Sequence, residues 1–296
     1  MHHRAIGPAL GLAMAVLGAA SACNAQGPAT PISPLAPVCP AGASPVVTEG
    51  EYPVVIQAGT AWNRHEYDAA ERSRILFHAD AIRQHFTPPP SLGDVPLIGE
   101  SAIGSWGGAR SAHSAVGGKI VLVMKPDGRL RTTFWQVLPF SKTFAIAVTN
   151  AAMAADTSGD FLGIPRAGEA RGDDTLVVQL RTALEPPAAD ELPLMRVRLS
   201  RYVLEAPSRV TKRGGLYYPD GASYSHVENK GEVLALVGSD GKPVMSATQV
   251  TRIEWRDFLS TMTRSIEGTE FDPARSGGCA VPSLSVHVFD FTVRRD

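Results

Sequence analysis

Apolar positions along this chain recur in two rhythms, alternation in short runs and a helical spacing in a few longer ones, which predicts small sheets packed by a few helices. Ala70, Ile75, Ala79, Ile82 and Phe86 stand at helical spacing within Glu66 to His85, and Thr87-Pro-Pro-Pro90 ends that helix abruptly. Before it, Glu49 to Gln57 contains Tyr52-Pro-Val-Val-Ile and predicts an edge strand; after it, Ser91 to Val116 is rich in Gly and Ser, has no period, and predicts a loop. Gly231-Glu-Val-Leu-Ala-Leu-Val leads to Asp240-Gly241, the pair that most favours a tight hairpin, so a strand over Val244 to Thr251 is expected. In Arg256 to Glu267, Phe258, Met262 and Ile266 mark one apolar helix face, which Phe271-Asp-Pro273 closes. Ser283 to Phe291 alternates Leu284, Val286 and Val288 against Ser285 and His287, as a half-buried strand does.

The same succession occurs earlier. Gly118-Lys-Ile-Val-Leu-Val-Met-Lys-Pro-Asp127-Gly128-Arg matches Gly231 to Lys242 place by place, 113 residues before it, and the offset still holds at Gln136-Val137 against Gln249-Val250. Helix-compatible sequence follows over Ser141 to Ala155, then Phe161, Pro165 and a closing strand over Thr175 to Leu180. A shared register over one order of elements argues for an internal duplication. The joint is Glu185-Pro-Pro-Ala-Ala-Asp-Glu-Leu-Pro193, and Leu194 to Leu204 reads as a strand leading into the second copy. The expected fold class is therefore α+β, with two duplicated domains over 49–185 and 194–296, each a small antiparallel sheet with a packed helix.

Composition changes this picture little. At 296 residues the chain has room for two small cores, and its 28 Gly and 23 Pro suit short strands and turns. A formal charge of -1 gives no electrostatic case for nucleic acid.

The ends of the chain say more. His2, His3 and Arg4 precede an apolar run ending in Ala20-Ser-Ala22, the layout of a secretory signal peptide over 1–22. An uncleaved anchor is the alternative, against which Gly7, Pro8, Gly11 and Gly18 interrupt the run. Ala20-Ser21-Ala22-Cys23 resembles a bacterial lipobox with Ala in place of the usual Leu, so two fates stand open for Cys23, lipidation or loss with the leader. Either leaves Cys39 and Cys279, an even pair in an oxidising compartment, for which a disulfide is expected. Residues 23–48 carry Pro28, Pro31, Pro34, Pro37, Pro40 and Pro45 and predict an extended tether uncoupled from any core.

With Tyr218-Pro219 and Ala222 ahead of Gly231-Glu-Val, then Asp240-Gly241, Val250, Phe271-Asp-Pro273-Ala274 and Phe289-Asp-Phe291, the second copy resembles the C-terminal domain of TonB-type energy transducers. The first copy, entered through Ile75 to Phe86 and Pro88-Pro89, resembles the related TolA-type variant. The resemblance implies a periplasmic α+β module that binds cell-envelope proteins, an outer-membrane transporter or inner-membrane motor components, by adding a partner strand to a sheet edge. It points to Ser285, Val286, His287 and Phe289 on the closing strand as partner-binding residues. Two departures bear on energy transduction: the family keeps an uncleaved N-terminal helix and a long Pro-rich spacer, whereas here the apolar run has a cleavage site and the tether is short. Membrane association would run through a lipidated Cys23 or a retained N-terminal helix. The alternatives are a structural envelope lipoprotein whose paired domains hold each other's edges, and an enzyme with Ser91 to Val116 as its site loop.

Little chemistry competes with binding. His78 and His85 share a helix face without a third ligand at metal spacing and read as surface histidines; His287 reads as solvent-facing or partner-facing. Gly99-Glu-Ser101-Ala-Ile-Gly104 is not a nucleophile elbow, and Gly107-Gly108 and Gly117-Gly118 lack the residues of a phosphate loop. Asp173-Asp174 reads as loop charge, and Trp106, Trp135 and Trp255 as core or loop anchors. No metal, no cofactor and no catalytic residue is expected.

Overall fold

The computed structural model describes residues 33–60, 67–93, 95–99, 116–162, 173–182, 190–219 and 229–291. The strands are β1 (Val47–Ala58), β2 (Gly118–Met124), β3 (Leu130–Val137), β4 (Asp174–Thr182), β5 (Leu192–Tyr202), β6 (Arg209–Lys212), β7 (Asn229–Val237), β8 (Gln249–Ile253), β9 (Glu270–Asp272), β10 (Ala274–Ser276), β11 (Cys279–Val281) and β12 (Ser283–Phe291). The helices are α1 (Ala69–His85), α2 (Lys142–Ser158) and α3 (Leu259–Glu267). The architecture is α+β, with a five-stranded sheet ordered β3-β2-β4-β1-β5 and a three-stranded sheet ordered β12-β7-β8 as its main parts. Both are antiparallel throughout. All described residues belong to one compact unit, Ser33–Asp296.

Helix limits follow local chemistry. Asp68 accepts from the Glu71 amide while the Glu71 carboxylate accepts from the Asp68 amide, a complete capping box. Phe86 is already extended, Thr87 is restricted away from helix by Pro88, and α1 stops there. Ser141 caps α2 by accepting from the Phe144 amide. Ile75, Ile82, Phe144, Val148 and Phe161 then bury against Ile120, Leu122, Leu176 and Val178 of the larger sheet. His78 lies in this layer, 3% exposed, with its ring 5.0 Å from that of Phe161 and Nδ1 2.8 Å from the Arg74 carbonyl oxygen, so it is a core residue instead of the surface histidine expected. Helical periodicity placed it on a face but could not say that α2 and Phe161 cover that face.

The two hairpins repeat bond for bond. Gly128 donates to Lys125 O and Lys125 to Arg129 O; 113 residues later Gly241 donates to Gly238 O and Gly238 to Lys242 O. Asp127 and Asp240 each accept from the amide two residues on, and Gly128 and Gly241 both have positive φ, 84° and 76°. The order strand, strand, helix, strand and the pairing of its strands also recur, as β3-β2-β4 and β8-β7-β12. The halves differ in what is added: α1, β1 and β5 join the first, and the ribbons β6–β9 and β10–β11 stand beside the second.

Four expectations change. The stretch expected at an edge, Glu49 to Gln57, is interior: β1 lies between β4 and β5, and Pro53 is tolerated because the β4 ladder starts only at Val54. The strand expected to open the second copy is β5, and it pairs with β1 over Val47 to Ile56, with Glu49 and Glu51 facing Arg198 and Arg196. Residues 33–46 are not an uncoupled tether. Leu35 packs on the core of the second half, Val38 and Ala280 exchange backbone bonds, Ser239 donates to Ala36 O, and Cys39 is bonded to Cys279. Proline content disfavours regular structure but does not prevent such docking, because main-chain carbonyls and one disulfide carry it. The expected strand Val244 to Thr251 is shorter, since a 3-10 turn, Met245–Ala247, precedes β8.

Candidate docking edge

Of the closing strands in the two halves, one has neighbours on both sides. β4 lies between β2 and β1. β12, its counterpart, pairs with β7 over its whole length; on the outer side the described residues offer it only Gly99, which donates to Pro282 O and accepts from the Leu284 amide. Successive residues of a strand turn their N–H and C=O to opposite edges. With Leu284 facing Gly99, the main-chain groups of Val286, Val288 and Asp290 also face outward, while those of Ser285, His287 and Phe289 face β7.

This separates the four residues expected at the site. Val286 presents its backbone outward and packs its side chain beside Leu234, Leu236 and Leu284. Ser285 and His287 lie on the opposite face, joined by a hydrogen bond of 3.0 Å. The His287 ring is not turned to solvent: it is half-buried with the Phe271 ring at 5.2 Å. Burial, with the Arg213 cation adding to it, pushes its pKa down to about 4. Phe289 is buried in the cluster of Phe258, Met262 and Phe291 beneath α3, so its side chain serves the core. Val288, 58% exposed, is the apolar side chain of this strand that a neighbour could cover. Alternation alone counted it among the buried positions; the signal against it was Asp290, which ends the apolar run on that face.

Gly99 also bridges Tyr202 at the end of β5, so residues 95–99 join the two sheets on this side. Ile98 and Val95 fill the second face of β7 together with Leu35 and Phe140, which accounts for the unbroken apolar run Val233 to Val237. At the far side β3 and β8 meet through side chains: Gln136 Nε2 donates to Thr251 O at 3.3 Å and Gln249 Nε2 to Leu138 O at 2.9 Å. The Cys39–Cys279 bond, with Cys279 fully buried, lies beside Tyr202, Ala274 and Val281. Cys23, the A-x-A site, Ser101 and Trp106 lie outside the described residues.

One cluster outside the edge has chemically active groups. His85 Nε2 is 2.6 Å from Asp160 Oδ2 and 3.0 Å from Ser158 Oγ, and Ser158 also donates to Asp160. Both partners share one ring nitrogen, so the carboxylate does not hold the imidazole from its other side as a base for Ser158 requires. The bond from His85 instead holds the exposed Asp160 carboxyl below its usual range and ties the end of α1 to the end of α2. Among the described residues no group of three His, Cys, Asp or Glu is placed to hold a metal ion, and no helix is long and apolar enough to cross a membrane.

No protein-family model matches the chain, and neither does any curated protein. Among solved structures it is similar to the TonB CTD of Pseudomonas aeruginosa, determined by solution NMR, with 22% identity and a TM-score of 0.27, over 31% of this chain and 92% of that one.

Proposed function

We propose that the protein is a TonB-like interaction module of the cell envelope that binds an extended segment of a partner, such as an outer-membrane transporter, along the outer edge of β12. The observation that carries this reading is internal to the chain. The equivalent edge, on β4, already holds an added antiparallel strand, β1, which pairs from Val54 to Ala58 with Thr182 to Val178. An edge of this kind therefore accepts a strand, and on β12 the outward groups of Val286, Val288 and Asp290 have no strand beside them among the described residues. Main-chain hydrogen bonds would supply affinity, and Val288 would supply apolar contact. The reading places the chain in the periplasm, exported by its N-terminal segment, and involves no catalysis.

Val286→Pro tests it, because proline removes an outward N–H and leaves the β7 ladder intact. With a photo-crosslinking residue at position 288, the parent should capture an outer-membrane transporter in cells, and V286P should lose that capture at unchanged circular dichroism. Equal capture by both proteins would refute strand addition at this edge.

A second reading has its own observation. Because β5, the strand expected to open the second copy, covers the outer edge of β1, and β3 meets β8, the halves close much of each other's exposed edge, as a structural envelope lipoprotein would. It predicts no crosslinked partner at position 288.

A further inference from the structure

Lys119 and Glu232 occupy equivalent places, 113 residues apart on the first strands of the two hairpins, and each stands where its hairpin's register breaks. Lys119 pairs with Val137 and Ile120 with Trp135, so Gln136 is the extra residue of β3; Glu232 pairs with Arg252 and Val233 with Val250, so Thr251 is the extra residue of β8. These bulges meet. Gln136 donates to Thr251 O, and the offset image of that bond, Gln249 to Leu138 O, is present too. Both charged residues converge on Thr251: Lys119 Nζ donates to its carbonyl oxygen at 3.1 Å, and its hydroxyl donates to Glu232 Oε1. Lys119 is 9% exposed and Thr251 fully buried.

We infer that Lys119 and Glu232 select the pairing of the halves, making the first hairpin accept the second hairpin of its own chain and reject a copy of itself. The contact is built from equivalent elements, so a first half could in geometry meet another first half. That arrangement would bury Lys119 against Lys119, and two second halves would set the part-buried Glu232 against Glu232. Only the mixed pairing sets opposite charges together, and like charges at such a contact, above all two buried ammonium groups, are a strong element of discrimination. Net stability is a poor explanation for the pair, because desolvating an ammonium offsets much of its attraction to a carboxylate. Burial does push the Lys119 pKa down to about 8, against the pull of Glu232 and with the push of Arg252.

The test uses the full chain. K119E and E232K should each raise the unfolding equilibrium constant in urea more than about tenfold, and K119E/E232K should return to within about threefold of the parent. A charge-swapped protein as unstable as the two single effects combined would overturn the inference. The apolar pair K119M/E232M separates selection from stability: it should be at least as stable as the parent, yet give a dimer that grows with concentration when refolded from urea, where the parent gives monomer. A monomer at every concentration would overturn the inference equally.

Discussion

His287 shows how much of a residue's behaviour lies in its neighbours. Its strand phase is legible from Ser283 to Phe291, but Phe271 and Arg213, which set its environment, come from other parts of the fold. Because the folded pKa is lowered to about 4 from the ordinary histidine value of 6.5, the unfolded chain binds the proton first as pH falls. The contribution of this group is complete above pH 6.5 and is lost as pH falls from there toward 4. Burial lowers the pKa of His78 as well, which adds to the same acid side. H287Q should therefore show a shallower fall of stability than the parent over that window, read by urea unfolding at a series of pH values. The difference should stay below about 3 kcal/mol, since the ring is partly exposed.

At the scale of elements, caps and turns govern where structure starts, and added strands govern what stays open. Asp68 and Glu71 satisfy two amides that α1 would otherwise leave unpaired, so Asp68→Ala should lower stability by about 1 kcal/mol in thermal or urea unfolding. The Asp-Gly hairpins, the ends of α1 and α2 and the face of α3 follow from contiguous sequence, because turn geometry and capping are local. The interior place of β1 does not. Its Val54-Val55-Ile56 run suits any buried strand, and only pairing with β4 and β5, far away in sequence, makes it central.

At the scale of the molecule, the N-terminal segment is tied to the C-terminal half. The Cys39–Cys279 bond spans a separation of 240 residues, and chain-entropy models put closure of loops this long near 5 kcal/mol. C39S/C279S should lower the melting temperature, with residues 33–46 losing amide protection before the sheets do in hydrogen exchange. Protection in that segment equal to the parent's would mean that Leu35, the Val38 bridge and the Ser239 bonds hold it unaided.

Sequence alone determined the α+β class, the two hairpins in common register, the three helices and the pairing of the two cysteines, since each rests on local turn and helix chemistry, on a repeated pattern, or on parity. Tertiary structure decided which edges remain open among the described residues. β1 fills the edge of β4, among the described residues only Gly99 meets the outer edge of β12, and the side chains of His287 and Phe289 turn inward while the Val288 side chain and the Val286 main chain face out. An open edge is defined by the neighbours a strand lacks, and those neighbours are set by contacts between residues far apart in the chain.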